Sequence, residues 1–402
     1  MWPRYFLAIH AFLLTLTVLG QPASSPNDII ISLKRLANAD AGGTELDQYW
    51  QQLVDAQRIP FTAGDSVLFL YRGNATSIAW TGDFNAWGYD RSFQNKGTRL
   101  EGTNIWFLKA SFEKDARMDY RIVVDGNSQI LDPVNSYNQW SGVGGGSLNS
   151  ELRMPDYKSD PAQELLQDIP RGQVLPDLLF HSKELEYQIT YSVYLPAGAS
   201  RQKYPVVYVT DGYEYMHPNM GNMVTVLDNL IATKKIEPIV AVFIDHREPA
   251  YRNNNRRMQE LTMNPSYLNF FTNEFIPFIE SKYPIISDKK QRAIMGASQG
   301  GLNATYFLFA KPEVFGFAGI QSPTFWIKPQ IYQLCENPQD PSVIISLTTG
   351  TINDATEGSQ RMREILEANS CVYHYREVHD GASWGNWKRL IDDILIDFFS
   401  PK

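Results

Sequence analysis

The chain has 402 residues, 43% hydrophobic, 13% aromatic and 20% charged, with a formal net charge of −8. That length can bury two ordinary cores unaided, and no stretch collects Lys and Arg into a stripe, which argues against nucleic acid and anionic lipid as partners. Two cysteines exclude a disulfide framework and every multi-Cys metal site.

Residues 1–20 read as an export signal: Arg4 supplies the positive region, Tyr5 to Leu19 an apolar stretch, and Gly20 a small residue before a cut at Gln21. No later segment reaches the roughly 18 consecutive apolar residues of a membrane span. The expectation is an exported chain, periplasmic or secreted, and not an integral membrane protein. In such a compartment Cys335 and Cys371 either form one bridge or stay as two buried thiols.

Residues 21–60 form a helical lead-in, where Leu46, Tyr49, Trp50, Leu53 and Val54 recur at helix spacing. Short apolar runs then alternate with Gly/Asn/Asp turns: Ser66 to Tyr71, Ile78 to Trp80, Ile105 to Leu108 and Tyr120 to Val124. That spacing predicts a small all-β, Ig-like sandwich over 61–155. The glycine cluster Gly142 to Gly146 and the polar stretch Asp156 to Gln167 mark its exit into a linker over 156–175.

Residues 176–402 have a different texture. Val206 to Val209, Ile239 to Ile244, Ala293 to Met295 and Val343 to Leu347 are nearly continuous apolar runs, and Val372 to Val378 is a further strand. Helical segments separate them: Met223 to Ala232, Pro265 to Lys282, Gly301 to Ala310 and Glu357 to Ala368. Strands covered on both faces by helices predict an α/β fold with a mostly parallel sheet.

One motif carries chemistry. Gly296-Ala297-Ser298-Gln299-Gly300 follows the run ending at Met295 and precedes a helix, the context of a nucleophile elbow. The turn admits only small neighbours, lifts Ser298 Oγ clear of the sheet and sets a helix N-terminus beside it. In this fold an acid and then a histidine follow the serine. Asp354, just after Val343 to Leu347, is the orienting carboxylate; its alternative role is the N-cap of the next helix. No H-E-x-x-H, paired Cys/His spacing, G-x-x-x-x-G-K or G-x-G-x-x-G occurs, so no metal or cofactor is expected.

The sequence resembles the enterochelin-esterase group of exported serine esterases, which have the α/β-hydrolase fold. Its catalytic domain is matched by Val226 to Ile231, Phe243-Ile244-Asp245, Gly296 to Gly301 and Ser383 to Trp387. Its N-terminal domain, similar to carbohydrate-binding modules, is matched by Phe69 to Gly73, Gly82-Asp83-Phe84-Asn85 and Leu131 to Asn135. Feruloyl and acetyl-xylan esterases share much of the catalytic pattern. The resemblance implies an oxyanion hole from the backbone N–H groups of Gln299 and Tyr213. It also implies a cleft lined by Arg257 and Glu260, unless these make a surface ion pair, and a pocket wall at Trp384.

The family's last loop reads Gly-His-Ser-Trp, and this chain has Gly381-Ala382-Ser383-Trp384, so Ala382 stands at the position of the general base. An alanine accepts no proton. His379 is the displaced candidate and His217 a second one, whereas His181, His246 and His374 carry no particular claim. Trp80 and Trp106 read as core, while Trp87 and Trp140 are open to a sugar ring. Two functions follow: hydrolysis of a siderophore, phenolic or glycan-linked ester, weakened by Ala382, or capture of such a ligand without turnover.

Overall fold

The computed structural model describes residues 25–39, 43–141, 147–199 and 202–401. The predicted export signal and the Gly142 to Gly146 cluster lie outside the described residues. The strands are β1 (Phe61–Ala63), β2 (Ser66–Arg72), β3 (Ile78–Gly82), β4 (Thr98–Arg99), β5 (Ile105–Ser111), β6 (Arg117–Val124), β7 (Ser128–Ile130), β8 (Asn138–Ser141) and β9 (Ser147–Arg153). The chain continues with β10 (Gln173–His181), β11 (Gln188–Leu195), β12 (Val206–Val209), β13 (Val240–Asp245), β14 (Arg292–Ala297), β15 (Phe317–Gln321), β16 (Ile344–Ile352) and β17 (Val372–Gly381).

The first nine strands form two layers. β1-β2-β5-β4 is one antiparallel sheet, and β6 carries β3, β7 and β9 in the other. Period-2 alternation in β2 decides what each face buries. Val67 and Phe69 pack on Trp80, Tyr120 and Ile122 of the facing sheet. Leu68 and Leu70 turn the other way, onto Ile29, Leu33, Trp50 and Leu53 of the helices Pro26–Ala39 and Thr44–Asp55. The lead-in is thus a third layer on the sandwich.

The large sheet runs β10-β11-β13-β12-β14-β15-β16-β17. β11 is antiparallel to both its neighbours, and every pairing from β13 to β17 is parallel. Both faces are covered. Tyr208, Val242 and Ile294 face the helices Pro265–Phe270 and Gln299–Ala310, whereas Val209, Phe243 and Met295 face Met223–Ala232 and Ile391–Phe399. The predicted helix Pro265 to Lys282 contains a π-helical turn at Phe271–Phe275. Two strands of this sheet carried no sequence signal of their own, β10 and β15, and β11, rich in β-branched and aromatic residues, was not anticipated either. β10 is an edge strand interrupted by Pro176 and bulged between Leu175 and Leu178, and β15 is five residues with a central glycine.

The two parts share one seam. Arg117 of β6 pairs in parallel with Asp380 of β17, so the small sheet extends the large one beside the strand that leads to Ala382. No helix among the described residues is long and apolar enough to cross a membrane. Cys335 and Cys371 are both free and buried, which settles their alternatives as thiols, and burial pushes both above the ordinary thiol range.

Candidate active site

Strand order places the ends of β14, β16 and β17 along one rim, with Ser298, Asp354 and Ala382 just beyond them. Ser298 sits at φ 58°, ψ −113° between β14 and the helix Gln299–Ala310, a backbone conformation rare for a non-glycine residue. Its N–H donates to Gln321 O at 2.8 Å and its carbonyl accepts from Thr324 N–H at 3.1 Å. Those two bonds hold the turn against β15 and the loop after it. A side chain at Gly296 would run into Thr210 Oγ1 and stand 2.6 Å from the Gly300 backbone. The turn is therefore closed to anything larger than glycine at that position. Gln299 opens its helix, so its N–H has no partner one turn back and points toward the end of the strand.

Asp354 follows the bulge in β16. Its Oδ2 accepts from Ser322 Oγ at 2.5 Å, Gly350 N–H at 2.7 Å and Asn386 Nδ2 at 3.1 Å. Burial pushes its carboxyl up to about 6 in spite of those donors. The helix after it starts at Thr356 with Ala355 as N-cap, so the carboxylate serves the loops after β15 and β17 rather than the helix end. Trp387 Nε1 donates to Ser322 Oγ at 2.9 Å and extends this network into the core.

No described side chain hydrogen-bonds Ser298 Oγ. Ala382 is exposed beside the network. His379 is half-exposed, and its Nδ1 pairs with Asp115 Oδ1 at 2.6 Å, on the small β-sheet side of the seam. The structure thus takes the displaced-base candidate to Asp115, because it lies within β17 and its side chain follows the strand's alternation. His217 Nδ1 accepts the backbone N–H of Asn219 at 3.2 Å. That bond leaves the neutral ring's proton on Nε2, which makes His217 a donor rather than a base. Partial burial lowers its pKa below the ordinary imidazole value. His246 is buried and pairs with Glu260, His374 lies 3.5 Å from Asp397, and His181 is exposed.

Three expected pocket residues are placed differently. Arg257 is 7% exposed, with Nε 2.8 Å from both oxygens of Asp211, Nη1 2.5 Å from Gln299 Oε1 and Nη2 3.0 Å from Ala297 O. It is buried, and each of its three nitrogens donates to an acceptor within the protein. Glu260 is fully buried between Tyr187 OH, at 2.8 Å, and His246 Nδ1. Trp384 is 1% exposed, edge-on to Tyr215, and donates to Glu214 Oε2 at 2.8 Å. It is core, because helix Trp384–Lys388 turns that side chain inward.

The open surface around Tyr213 is aromatic. Tyr213 is half-buried under the Arg247 guanidinium, 3.5 Å from its ring centre. His217 lies between Tyr213 and Trp140 of β8, each ring centroid 5.7 Å from the imidazole. Trp140 is thus half-buried against the large domain, while Trp87 is held by Asp83 Oδ1 at 3.0 Å. Trp80 and Trp106 are core, in agreement with the sequence. Sequence reasoning missed the seam under the Ala382 loop. There Arg117 is fully buried, paired with Asp119 and Glu151, and donates to Ser383 Oγ at 2.8 Å. Only the contact between distant segments reveals it. A cavity of about 450 Å³ lies at the opposite, amino-terminal ends of the strands, lined by Pro205, Phe317, Val343 and Phe399.

A mostly parallel sheet that breaks from strand to helix at a strained serine, with a buried acid two strands away, defines the fold of the α/β hydrolases. Within that class, the chain belongs to the esterase family described as "Putative esterase", which matches residues 182–398, more than half of its length. It is 26% identical over 344 residues to the iron(III) enterobactin esterase of Escherichia coli K12, covering 75% of this chain and 81% of that one. It is 25% identical over 259 residues to the endo-1,4-beta-xylanase/feruloyl esterase of Xylanibacter ruminicola, covering 62% of this chain and 33% of that one. The solved ferric enterobactin esterase from Salmonella typhimurium has the same fold, with a TM-score of 0.69 at 19% identity over 83% of this chain and 93% of that one. The chain is accordingly an esterase-family protein of the enterochelin- and feruloyl-esterase type.

Proposed function

We propose that the chain is an exported carboxylic-ester hydrolase in which Ser298 is the nucleophile and the backbone N–H groups of Gln299 and Tyr213 receive the oxyanion. The observation that carries this reading is the elbow: a serine at φ 58° whose hydroxyl is partly exposed above a closed glycine turn. Ser298 Oγ attacks the ester carbonyl, the hydroxyl proton leaves to water, and the alcohol departs. Water then hydrolyses the acyl-serine and restores the hydroxyl. With Ala382 at the family's histidine position, no imidazole relieves the serine of its proton. In a comparable serine enzyme, loss of that histidine costs on the order of a millionfold in turnover, with roughly 10³–10⁴ over water retained. The rim of Tyr213, His217 and Trp140 suits a small ester with a flat acyl group, siderophore-derived or glycan-linked, as the names of the relatives suggest.

The test is hydrolysis of p-nitrophenyl acetate by the wild type and by Ser298→Ala. A slow wild-type rate that disappears in Ser298→Ala is the expected outcome. Equal rates refute the hydrolase reading, and the cleft is then a site for ligand capture without turnover, which the missing imidazole would also explain.

A further inference from the structure

We infer that Arg257 is a positioning residue that locks the two halves of the oxyanion hole to each other. The inference rests on the reading of Ser298 as nucleophile. The two halves come from different strands. Asp211-Gly212-Tyr213 follows β12, and Ala297-Ser298-Gln299 follows β14. Both contain a non-glycine residue in the left-handed region, Asp211 at φ 53° and Ser298 at φ 58°. Such conformations cost about 1–3 kcal/mol each and persist only where the surroundings hold them.

Arg257 supplies part of that surrounding, beside the backbone bonds of Ser298 to Gln321 and Thr324. Its planar guanidinium shares the Nε N–H between both Asp211 oxygens, at 2.8 Å each, while Nη1 donates to Gln299 Oε1 and Nη2 to Ala297 O, at 2.5 and 3.0 Å. One rigid fork therefore spans the gap between the two segments whose N–H groups must converge on one oxygen. Lysine cannot do this, because a point charge on a flexible stem does not fix two directions at once. The ion pair has a second consequence. Asp211 is 8% exposed and immediately precedes the oxyanion loop, so its negative charge would oppose a developing oxyanion if it stood alone. The guanidinium cancels that charge while remaining too buried to bind substrate itself. Behind it, Glu260, on the next turn of the same helix Arg257–Leu261, is fixed by Tyr187 and His246, which anchors the helix that presents the fork.

The experiment combines kinetics and amide exchange. Arg257→Gln and Arg257→Lys are made in the wild type and in an Ala382→His chain, which supplies a measurable rate. Removing one oxyanion donor costs about 10²–10³ in kcat; for displaced rather than deleted donors the expected loss is about 10–100-fold in kcat with KM changed less than threefold, lysine recovering little of it. A rise in KM with kcat unchanged would make Arg257 a substrate ligand and overturn the inference. Hydrogen exchange at 211–214 and 297–300 is read in the wild-type background and does not depend on activity. Exchange in Arg257→Gln at least tenfold faster in both segments, with unchanged exchange elsewhere, supports the clamp. Unchanged exchange overturns it. If Ala382→His and the wild type both lack Ser298-dependent hydrolysis, the hydrolase reading fails by itself, and the exchange result still decides whether Arg257 holds the two segments. If the glutamine variant does not fold, the same exchange comparison with lysine decides it.

Discussion

Replacing Ala382 by histidine should return a base to the elbow, and the structure sets the size of the gain. Restoring an imidazole to a bare serine is worth on the order of 10⁶ in turnover where the acid is free to orient it. Here the acid is occupied: Asp354 Oδ2 holds Ser322 at 2.5 Å, Gly350 N–H at 2.7 Å and Asn386 at 3.1 Å. An incoming Nδ1–H displaces the longest of these, the Asn386 amide. Freeing a buried donor costs about 1–3 kcal/mol, or roughly 10- to 100-fold. Asn386 Nδ2 keeps its bond to Gly381 O at 3.1 Å, which favours the lower cost. The expected gain is therefore about 10⁴–10⁵ over the wild-type rate. The assay is steady-state hydrolysis of p-nitrophenyl acetate, with Ser298→Ala in the same background as the control. The rate should rise with pH through the ordinary imidazole range, about 6.5, because only the neutral ring accepts the serine proton. Asn386→Ala in the Ala382→His chain should raise the rate further by vacating the acid. A gain below tenfold, with the fold intact by circular dichroism, would refute the argument that base loss alone limits this site.

Other outcomes follow from the seam and the elbow. Arg117→Met should destabilise the protein by about 3–5 kcal/mol in urea titration, since it leaves buried Asp119 without its paired cation and takes from Glu151 one of its two, Arg153 being the other; a loss below 1 kcal/mol would show that the cluster neutralises itself. Burial and the neighbouring Asp119 push Asp83 up to about 8 from its ordinary 3.8. The folded state then holds a proton that the unfolded state has released, so stability should fall as pH rises from about 4 to 8 and level off above that. Asp83→Asn should flatten this part of the Tm–pH curve; an unchanged slope would show that Asp83 is ionised in the folded protein. Gly296→Ala should abolish soluble expression or lower Tm by more than 5 °C, roughly 4 kcal/mol or more for a chain of this size, because its side chain would run into Thr210 and the Gly300 backbone. Native Cys335 and Cys371 should not react with Ellman's reagent until the protein is unfolded, when both should titrate as thiols.

Much of the fold was legible because its signals are local. A strand buried on both faces must be apolar at consecutive positions, and Val206–Val209 is observed as the strand that its composition indicates. Helix Met223–Ala232 likewise has the predicted bounds. β10 and β15 were not legible, since an edge strand may carry Pro176 and Asp177, and a short central strand with glycine owes its place to its neighbours. The elbow could be read from five residues, because a tight turn restricts residue type at fixed positions.

What the sequence determined by itself is whatever depends on residue type along one stretch of chain: the strained serine, the alternation of strands and helices, and an alanine where a base is expected. Tertiary structure alone decided which side chains face which. His379 and Arg257 lie far from their partners in the chain, and neither periodicity nor motif shows that one turns to Asp115 and the other to Asp211. Burial and electrostatics depend on distance in space, and for residues on separate strands that distance is fixed only when the sheet order is fixed.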